Sequence, residues 1–570
     1  MIAAPPAPAS RREIVCVAAL ALVPLLPFLS AAVSIDAPVF LAVARQIVTS
    51  PADPFGFEMI WDPTSPLVAV FNRNPPLLSY WLAPWIAAFG EREWILHAVL
   101  LPFPLMAALA FYGIARRVAG DGLAPAALLV VTPAFLILGT TLMLDVPVLA
   151  WMLLAAYALL RSVERERPPR SRVAWELAAG GAAAAAGLTK YVGFSIAPLL
   201  AAGIVLLAAR PGPALVRTLG IPLFVWALWG AWTAKLYGSV HFWVATDLVQ
   251  EKSFKPDDFW NQVASVPIYC GAALVFPIFV WARTLLRGRK GTEIAVIGIL
   301  LGAAVARYVL PDGDPPRRFP LEGDEAALAV AGFASAFFLW GLCLRPSRVL
   351  ASALDRWLGL WLAGFLFFSM LVNWHVNAVD AVLTAPPLIL MIFRAPELRP
   401  TRKRVALWVA LLLPLSVLLA WSDTNQAGFY RTAARKIAAE IGESPGDRWF
   451  VGHWGLQYYL EREGFRAVVP PQYERWYGAS VLKKDDWVSS SRNVSQLDVS
   501  RNMSQYRLRG VWTWEQKSWL PLRTTNADAG AGFYSHHSGY VPFGWKDVPV
   551  ESVGLGRVVG IHRAPKEPLR

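Results

Sequence analysis

Long apolar runs separated by short basic tracts constrain this chain more than any other feature of its sequence. The first run, Ile14 to Val33, follows Arg11 and Arg12 and is long enough to cross a bilayer as a helix. Similar runs recur as far as Trp421, and the chain as a whole is 56% apolar and 16% charged, with a mean hydropathy of +0.44. This pattern predicts a polytopic α-helical membrane protein.

The positive charge of the chain lies in the tracts between the apolar runs. The net charge is +13, and the tract from Arg161 to Arg172 is the most basic of these connections. Basic residues in this arrangement follow the positive-inside rule, so the sequence argues against a nucleic-acid partner and for membrane lipids as the surroundings. The cysteines Cys16, Cys270 and Cys343 each fall inside an apolar run without a CxxC partner, which excludes a disulfide framework.

The order of runs and tracts predicts two domains. We count about 13 transmembrane helices in residues 1–421, with the N-terminus in the cytoplasm and a large outer loop at residues 34–93. From Ser422 the composition becomes polar, and residues 422–570 are expected to form a small soluble α/β domain. Strands are predicted at 448–451, 466–469, 510–514 and 557–561, and a helix at 456–463. An odd number of spans places this domain in the periplasm, outside the cytoplasm, on a protein of the cell inner membrane.

Three charged residues are predicted to meet at the outer face of the membrane. Asp36 follows the first span, Asp145 lies in a short turn between two spans, and Lys190 lies at the outer end of a helical hairpin. A charged side chain at the end of a membrane-spanning helix costs free energy, so its presence there favours a functional role. A buried carboxylate can act as a general base, and a lysine can bind a phosphate. The sequence therefore predicts one cleft that contains Asp36, Asp145 and Lys190.

Simpler roles are open for each of these residues. Asp36 could be a solvated loop residue or a helix cap, and Asp145, which precedes Pro147, could only begin a helix. Lys190 could extend to the interface without any other function. The histidines His97, His241 and His375 lack metal-ligand spacing, so a histidine metal site is not expected.

Three motifs in this region resemble the membrane glycosyltransferases that use polyprenyl-phosphate sugars. Residues 71–82 read FNRNPPLLSYWL and resemble the first outer loop of these enzymes. Residues 141–151, TLMLDVPVLAW, are similar to their second acidic motif, and residues 187–194, GLTKYVGF, are similar to their short lysine loop. The families concerned are the protein O-mannosyltransferases and the aminoarabinose transferases that modify lipid A.

The resemblance implies a fold, a reaction and roles for particular residues. The fold would be of the GT-C type, and the reaction an inverting transfer from a polyprenyl-phosphate sugar to a hydroxyl of a lipid, glycan or protein. Asp36 and Asp145 match the catalytic aspartates, and Lys190 matches the lysine that contacts the donor phosphate. The resemblance names no certain cofactor and leaves the participation of a divalent cation open.

Departures from the family pattern occur at four positions. Ala37 stands where the family often has glutamate after the aspartate, and Asn74 stands where it often has lysine or histidine. Arg73 could replace that cation as a second ligand of the donor phosphate. The acidic pair of a later loop falls near Thr246 and Asp247 here. Tyr80, Tyr191, Asn74 and Asp247 are the further residues expected to contact substrate.

Two other classes of protein would also carry charges beside membrane spans. A transporter is one alternative, although no internal repeat of the kind found in transporters is visible. A non-catalytic assembly protein of the cell envelope is the other. In an assembly protein, replacement of Asp36 by Asn should leave function and partner binding intact.

Overall fold

Helices make up most of the structure. The computed structural model describes residues 9–561, apart from 63–64, 165–166, 245, 247–255, 286–288, 310–322, 374–375, 470–473, 479–480, 493–502, 504–505 and 536–537. The α-helices up to the middle of the chain are α1 Arg11–Leu22, α2 Ala37–Thr49, α3 Val68–Phe71, α4 Leu77–Phe89, α5 Glu93–Ala98, α6 Pro102–Ala119, α7 Leu123–Val130, α8 Pro133–Gly139, α9 Asp145–Ser162, α10 Pro169–Thr189, α11 Ile196–Leu207 and α12 Pro211–Tyr237. Those that follow are α13 Pro256–Ala272, α14 Phe276–Leu285, α15 Arg289–Ala304, α16 Gly323–Cys343, α17 Pro346–Val349, α18 Ala353–Phe367, α19 Ala378–Arg394, α20 Arg402–Ile441, α21 Trp454–Arg462 and α22 Glu474–Tyr477.

Several of these helices can cross a membrane, which confirms a multi-pass membrane protein. Within the described residues, six helical segments are long and apolar enough, and a bent pair, Gln262–Ala272 and Phe276–Thr284, makes seven if it counts as one span. The two helices of that pair meet at 87°. The six are Glu93–Ala119, Asp145–Ser162, Pro211–Tyr237, Gly323–Cys343, Ala353–Val372 and Arg402–Ile441. The count of about 13 stays a prediction.

Two of the expected spans are not continuous α-helices. The first run forms α1 and then a 3₁₀ helix, Val23–Phe28, which contains Pro24 and Pro27. The third expected span, Ala124 to Leu138, consists of α7 and α8, with Thr132 capping α8 through its side chain. Proline lacks the N–H that continues a helix and clashes with the preceding turn, so both breaks fall at prolines.

The last span continues beyond the point at which the sequence predicted its end. Helix α20 runs from Arg402 to Ile441, so Trp421 lies near its middle. Its C-terminal half carries polar side chains that bind the C-terminal chain: Ser422 Oγ donates to Leu522 O, and Gln426 Nε2 donates to Thr525 O at 2.7 Å. These bonds explain why the helix does not end where the apolar run ends.

The C-terminal residues form a mixed sheet, and strands lie at or within the four segments that the sequence predicted. Its strands are β3 Arg448–Val451, β4 Arg466–Ala467, β5 Trp487–Ser491, β6 Tyr506–Gln516 and β11 Glu551–Ile561, in the order β4-β3-β5-β11-β6. Strand β3 is parallel to β4 and β5, whereas β11 is antiparallel to β5 and β6. The predicted helix is α21, which connects β3 to β4. Outside this sheet, the short strands pair in twos: β1 Glu58–Asp62 with β2 Ser65–Leu67, β7 Leu522–Arg523 with β10 Gly544–Trp545, and β8 Thr525–Asn526 with β9 Ala531–Gly532.

Two glutamates fasten the outer loop to the C-terminal region. Glu93 accepts hydrogen bonds from Tyr459 and Arg431, and the Tyr459 hydroxyl in turn accepts from the backbone N–H of Val33 at 2.8 Å. Glu91 accepts from Tyr458 Oη at 2.7 Å and is also paired with arginines. Burial beside these carboxylates raises the pKa of both tyrosines well above the usual range, so both hydroxyls stay protonated as donors. The two ends of loop 34–93 are therefore held by the same helix, α21.

We predict that Glu93→Gln destabilises the protein by about 2 kcal/mol, because it removes the charge from two charge-assisted hydrogen bonds. The measurement is thermal unfolding of the purified protein in detergent. The matched control is Glu397→Gln, which also loses contacts with arginines but at a site that is 53% exposed. That control should cost less than about 1 kcal/mol. Equal shifts in the two variants would contradict a structural role for Glu93.

Candidate active site

A buried ion pair joins two loops that are far apart in the sequence. Lys190 Nζ donates to Asp145 Oδ1 at 2.7 Å. The Asp145 side chain is 0% exposed and that of Lys190 is 29% exposed, so the ammonium is the accessible member of the pair. Asp145 is the first residue of α9, and its Oδ2 makes no hydrogen bond within the described residues. Its contact with Lys190 goes beyond the role of a helix start.

The lysine loop has the shape it does because of two glycines. Lys190 has an extended backbone, directly after α10 and before a 3₁₀ helix, Tyr191–Ser195. A Cβ at Gly193 would lie 2.3 Å from Ala186 O, and one at Gly187 would lie 2.4 Å from Trp226 Nε1. Only glycine fits such close approaches, so the two glycines of the motif allow the loop to fold tightly against α10.

Two further carboxylates act on the same ammonium. Asp36 and Asp380 both interact electrostatically with Lys190, in addition to Asp145. Asp36 is half-buried at the N-cap of α2, and its side chain makes no capping hydrogen bond to that helix. The structure therefore brings the three predicted residues Asp36, Asp145 and Lys190 into one charged cluster.

Asp380 is a member of the cluster that the sequence interpretation missed. It is buried in the first turn of α19 and accepts hydrogen bonds from Ser369 Oγ at 3.0 Å and Asn373 Nδ2 at 3.2 Å. Asn377 and Asp380 also form a capping box. The sequence contains a signal for this residue, an Asn-x-x-Asp pattern directly before an apolar helix. This pattern places an acidic residue at the start of the helix, as Asp36 is at the start of α2.

The segment before Asp36 is held in an unusual conformation. Ile35 has a φ of +54°, a region that β-branched residues rarely adopt. A Cβ at Gly455, in α21, would lie 2.5 Å from Val33 O, so the C-terminal region packs directly on this segment. Strain at this position persists because surrounding contacts fix the backbone, which is common beside functional groups.

The C-terminal region also contributes a tyrosine next to the ion pair. Asp145 acts electrostatically on Tyr534, whose hydroxyl donates to Asp423 Oδ2 at 2.8 Å. Asp423 also accepts from Thr524 Oγ1 at 2.7 Å. The backbone of the same segment accepts a hydrogen bond from Ala378 N, at the start of the helix that carries Asp380. Residues after 520 therefore form part of the wall around the charged cluster.

The loop that carries Arg73 and Asn74 is ordered by Asn72. The Asn72 side chain accepts from Asn74 N and donates to Asn74 O, both at 3.2 Å. Arg73 and Asn74 are half-buried. Contact of either residue with substrate stays a prediction, and Asp247 lies outside the described residues.

Tyr191 is fixed by a buried aromatic group rather than left free at an entrance. Its hydroxyl accepts from Trp229 Nε1 at 3.2 Å and lies 2.6 Å from His241 Nδ1. Burial lowers the pKa of His241 to about 4, so the imidazole is neutral at pH 7 and can accept the proton of Tyr191. His241, which the sequence showed only as an isolated histidine, thus helps to position the residue next to Lys190.

An apolar groove adjoins the charged cluster. It has a volume of about 230 Å³, and Pro147 and Thr189, which lie close in sequence to Asp145 and Lys190, form part of its wall. The rest of the wall is Leu77, Leu78, Tyr80, Trp81, Phe103 and Trp151. Tyr80, predicted to contact substrate, lies here, and its hydroxyl donates to Pro51 O. The groove can accept an apolar chain whose polar end lies at Lys190.

The part of the chain that the structure describes shows no group of three or more His, Cys, Asp or Glu side chains arranged to hold a metal ion. The second carboxylate oxygen of Asp145, Oδ2, is buried and has no hydrogen-bond partner among the described residues. An unpaired buried acceptor costs about 1–3 kcal/mol. A hydroxyl or ammonium donor would satisfy this oxygen, so the cluster can bind a polar ligand on the side of Asp145 away from Lys190.

We predict that Lys190→Met destabilises the protein by about 3 kcal/mol, because it leaves the Asp145 carboxylate buried without its cation. The double variant Lys190→Met/Asp145→Asn should recover most of that loss, since neither charge remains. Thermal unfolding in detergent measures both, with Lys403→Met, an exposed lysine near the start of α20, as the control. A double variant no more stable than the single one would contradict a coupled pair.

Comparison with known proteins gives an independent test of the resemblance. Residues 88–246 match the model of the dolichyl-phosphate-mannose-protein mannosyltransferase family. No match is found among curated protein sequences.

Three solved structures are among those to which this chain is similar. The archaeal oligosaccharyltransferase AglB from Archaeoglobus fulgidus, in complex with an inhibitory peptide and a dolichol-phosphate, is 15% identical, with a TM-score of 0.49 over 88% of this chain and 72% of that one. ArnT from Cupriavidus metallidurans, bound to undecaprenyl phosphate, is 14% identical, with a TM-score of 0.45 over 96% and 98%. The S. cerevisiae protein O-mannosyltransferase Pmt1-Pmt2 complex is 15% identical, with a TM-score of 0.31 over 41% and 35%.

The matched segment contains both members of the buried ion pair, Asp145 and Lys190, but not Asp36 or Asp380. The family model thus confirms, over residues 88–246, the resemblance to polyprenyl-phosphate-sugar glycosyltransferases that the acidic and lysine motifs indicated.

Proposed function

We propose that this protein is an inverting glycosyltransferase, which moves a sugar from a polyprenyl-phosphate carrier to an acceptor hydroxyl at the outer face of the cell inner membrane. The observation that supports it best is the position of Lys190. This ammonium binds the buried Asp145 carboxylate, and the apolar groove is lined by Thr189, the residue before Lys190, and by Pro147, two residues after Asp145. A lipid phosphate needs both features, a cation for its head and an apolar path for its chain.

Donor binding uses the groove and the lysine together. The polyprenyl chain lies along Leu77, Trp81 and Trp151, and the phosphate lies at Lys190. Lysine has three N–H donors, and one of them goes to Asp145, so two can bind phosphate oxygens. The match of residues 88–246 to a family named for dolichyl-phosphate-mannose supports a donor of this class.

Arg73 supplies the second cation in this proposal. Lys190 faces three carboxylates, so the cluster without another cation would repel a phosphate. Arginine suits the role because its planar guanidinium binds two phosphate oxygens at once. Arg73 is half-buried beside the ordered turn of Asn72 and Asn74, so its side chain can adopt few conformations. It therefore loses little conformational entropy when it binds phosphate.

Asp36 acts as the general base. The acceptor hydroxyl transfers its proton to the Asp36 carboxylate while its oxygen bonds to the anomeric carbon of the sugar. The bond from that carbon to the phosphate oxygen breaks, and the carrier phosphate leaves with the electron pair. Lys190 and Arg73 stabilise the charge that develops on the leaving phosphate. Attack opposite the leaving group inverts the anomeric centre.

Asp145 and Asp380 have supporting roles. Asp145 orients the lysine through Oδ1, and its free oxygen Oδ2 can accept a hydrogen bond from a sugar hydroxyl. Asp380 is held by Ser369, Asn373 and Asn377, so its charge is fixed near the ammonium. Preorganised charges of this kind stabilise developing charge without reorganisation during the reaction.

The first test uses purified protein in lipid vesicles with a panel of labelled polyprenyl-phosphate sugars, following release of the free carrier phosphate. Asp36→Asn should lower turnover by about a thousandfold and leave donor binding unchanged, because the base acts only in the transition state. Lys190→Met should instead weaken donor binding. Asp528→Asn, an exposed aspartate paired with Arg492, serves as the control. Wild-type turnover in Asp36→Asn would refute the proposal and favour a transporter or assembly protein.

A second prediction concerns the apolar groove. Leu77→Trp should fill the groove and raise KM for donors with long polyprenyl chains, with no change for an analogue that carries only two isoprene units. The control is Leu407→Trp, at a leucine that is 56% exposed on α20. An equal effect on long and short donors would show that the lipid chain binds elsewhere.

A further inference from the structure

A group of arginines surrounds one glutamate at the end of α9 that is remote from the candidate active site. Glu164, which follows α9, accepts hydrogen bonds from Arg117 Nε at 2.7 Å and from Arg167 Nε at 3.1 Å. Arg161 Nε lies 3.4 Å from the same carboxylate. We call these four side chains the arginine cluster. Asp145 begins α9 and Arg161 lies in its last turn, so about 24 Å of a helix that can cross a membrane separates the cluster from the Asp145 carboxylate. The cluster therefore lies at the opposite membrane face.

The arginine cluster carries more positive charge than its carboxylate balances. Each of its four side chains is less than a quarter exposed, and three guanidinium groups face one carboxylate. Arg165 and Glu166, which lie outside the described residues, add no net charge. Glu176, the only acid of α10, is already paired with Arg217. Burial of unbalanced charge is costly unless a counter-ion binds it, so the cluster is suited to an anion.

Donor groups remain available for that anion. Within the described part of the chain, the Nε atoms of Arg161 and Arg172 are buried and have no hydrogen-bond partner. Arg172 lies in the first turn of α10, and Arg170, in the same turn, is exposed. This helix begins without a side-chain cap or an acidic residue in its first turn, so the positive end of its dipole adds to the field. Guanidinium groups bind phosphate oxygens through several N–H donors at once, which favours a phosphate over a smaller anion.

An exposed apolar stripe leads away from the cluster along one face of α10. Four exposed residues at helical spacing form it: Ala174, Leu177, Ala178 and Gly181. A Cβ added at Gly181 would meet no atom within 4 Å, so the stripe is open at this point. The stripe begins beside the cluster, because Ser171, one turn before Ala174, accepts a hydrogen bond from Arg167 Nη1 at 3.2 Å. It can accept an apolar chain whose phosphate lies among the arginines.

Trp175 lies where the charged and apolar parts of this surface meet. The guanidinium carbon of Arg161 lies 4.7 Å from the centre of its ring, and that of Arg167 lies 5.9 Å away. Tryptophan is enriched at the level of lipid headgroups, where its ring contacts both apolar and polar groups. A soluble phosphate would use the arginines alone, whereas a phospholipid would use the arginines, the ring and the stripe.

We propose that the arginine cluster and the stripe bind an anionic phospholipid of the leaflet opposite to the candidate active site. Its phosphate accepts hydrogen bonds from Arg161 and Arg172, and one acyl chain lies along α10. Basic pockets between membrane helices are a general means of binding such headgroups. A zwitterionic lipid has no net negative charge, so the unbalanced charge of the cluster selects an anionic one. The lipid joins the ends of α6, α9 and α10, and its binding does not depend on the proposed transferase reaction.

The test titrates the full-length protein in a neutral detergent with phosphatidylglycerol and determines the dissociation constant by native mass spectrometry. Phosphatidylglycerol should bind at least about tenfold more tightly than phosphatidylcholine. Arg170→Gln/Arg172→Gln should weaken phosphatidylglycerol binding about 25-fold, at roughly fivefold for each arginine near the headgroup. This variant keeps all three arginines that contact Glu164. The control is Arg210→Gln, at an exposed arginine directly before α12, which should bind as wild type.

Gly181→Trp tests the path of the acyl chain without any change of charge. Its side chain covers the open part of the stripe, so it should weaken phosphatidylglycerol binding at least about fivefold by removing apolar contact. The matched control is Gly220→Trp, at an exposed glycine of α12 that also has no atom within 4 Å of an added Cβ. This control should bind the lipid as wild type does.

Three results would overturn the proposal. The first is wild-type affinity for phosphatidylglycerol in Arg170→Gln/Arg172→Gln, and the second is equal affinity of the wild type for phosphatidylglycerol and phosphatidylcholine. The third is binding of soluble glycerophosphoglycerol as tight as that of the lipid, with no effect of Gly181→Trp, which would favour a soluble phosphate ligand. Asp36→Asn should bind phosphatidylglycerol as wild type does, so the lipid site and the proposed reaction are tested separately.

Discussion

The pairing of Asp145 with Lys190 is the interaction on which the arrangement of this site depends. Removing two charges from water is costly, and the cost is offset only when the partners are close and their other groups are bound. The Asp145 side chain is completely buried, so any fold that separates the two loops would leave a carboxylate unpaired. Asp36, Asp145 and Asp380 all lie at or in the first turn of a helix, where the helix dipole favours negative charge. Three helices thus have their positive ends near one ammonium, that of Lys190.

The C-terminal region is part of this site rather than an appendage to the membrane helices. Glu91 and Glu93 bind α21, Gly455 packs on the backbone before Asp36, and Tyr534 is close enough to Asp145 for an electrostatic interaction. Ile35 can keep its positive φ because these contacts hold the chain on both sides of it. A single long helix, α20, continues from the apolar part into this region and connects the two mechanically.

Much of this arrangement could be predicted from particular residues. A helix that spans the bilayer has its two ends on opposite sides of the membrane. Counting the apolar runs between arginine tracts therefore predicted that Asp36, Asp145 and Lys190 lie on the same side. Strand composition located β3, β4, β6 and β11, since alternating residues indicate half-buried strands. Asp380 was missed because its partners Ser369 and Asn373 belong to another turn, and no spacing rule connects it to Lys190. Pro24, Pro27 and Pro133 can be read from the sequence. That each of them interrupts a span was seen only in the folded structure, where the surrounding helices are packed.

By itself, the sequence determined that the chain is a multi-pass membrane protein, which residues interrupt its apolar runs, and that strands and a helix follow them. These properties arise from local hydrophobicity and from the cost of placing unpaired polar groups in lipid. Only the tertiary structure decided which charges touch and how the C-terminal region packs on the segment before Asp36. Such contacts join residues hundreds of positions apart, as Val33 and Tyr459 show, and their distances follow from the packing of whole helices rather than from any local pattern.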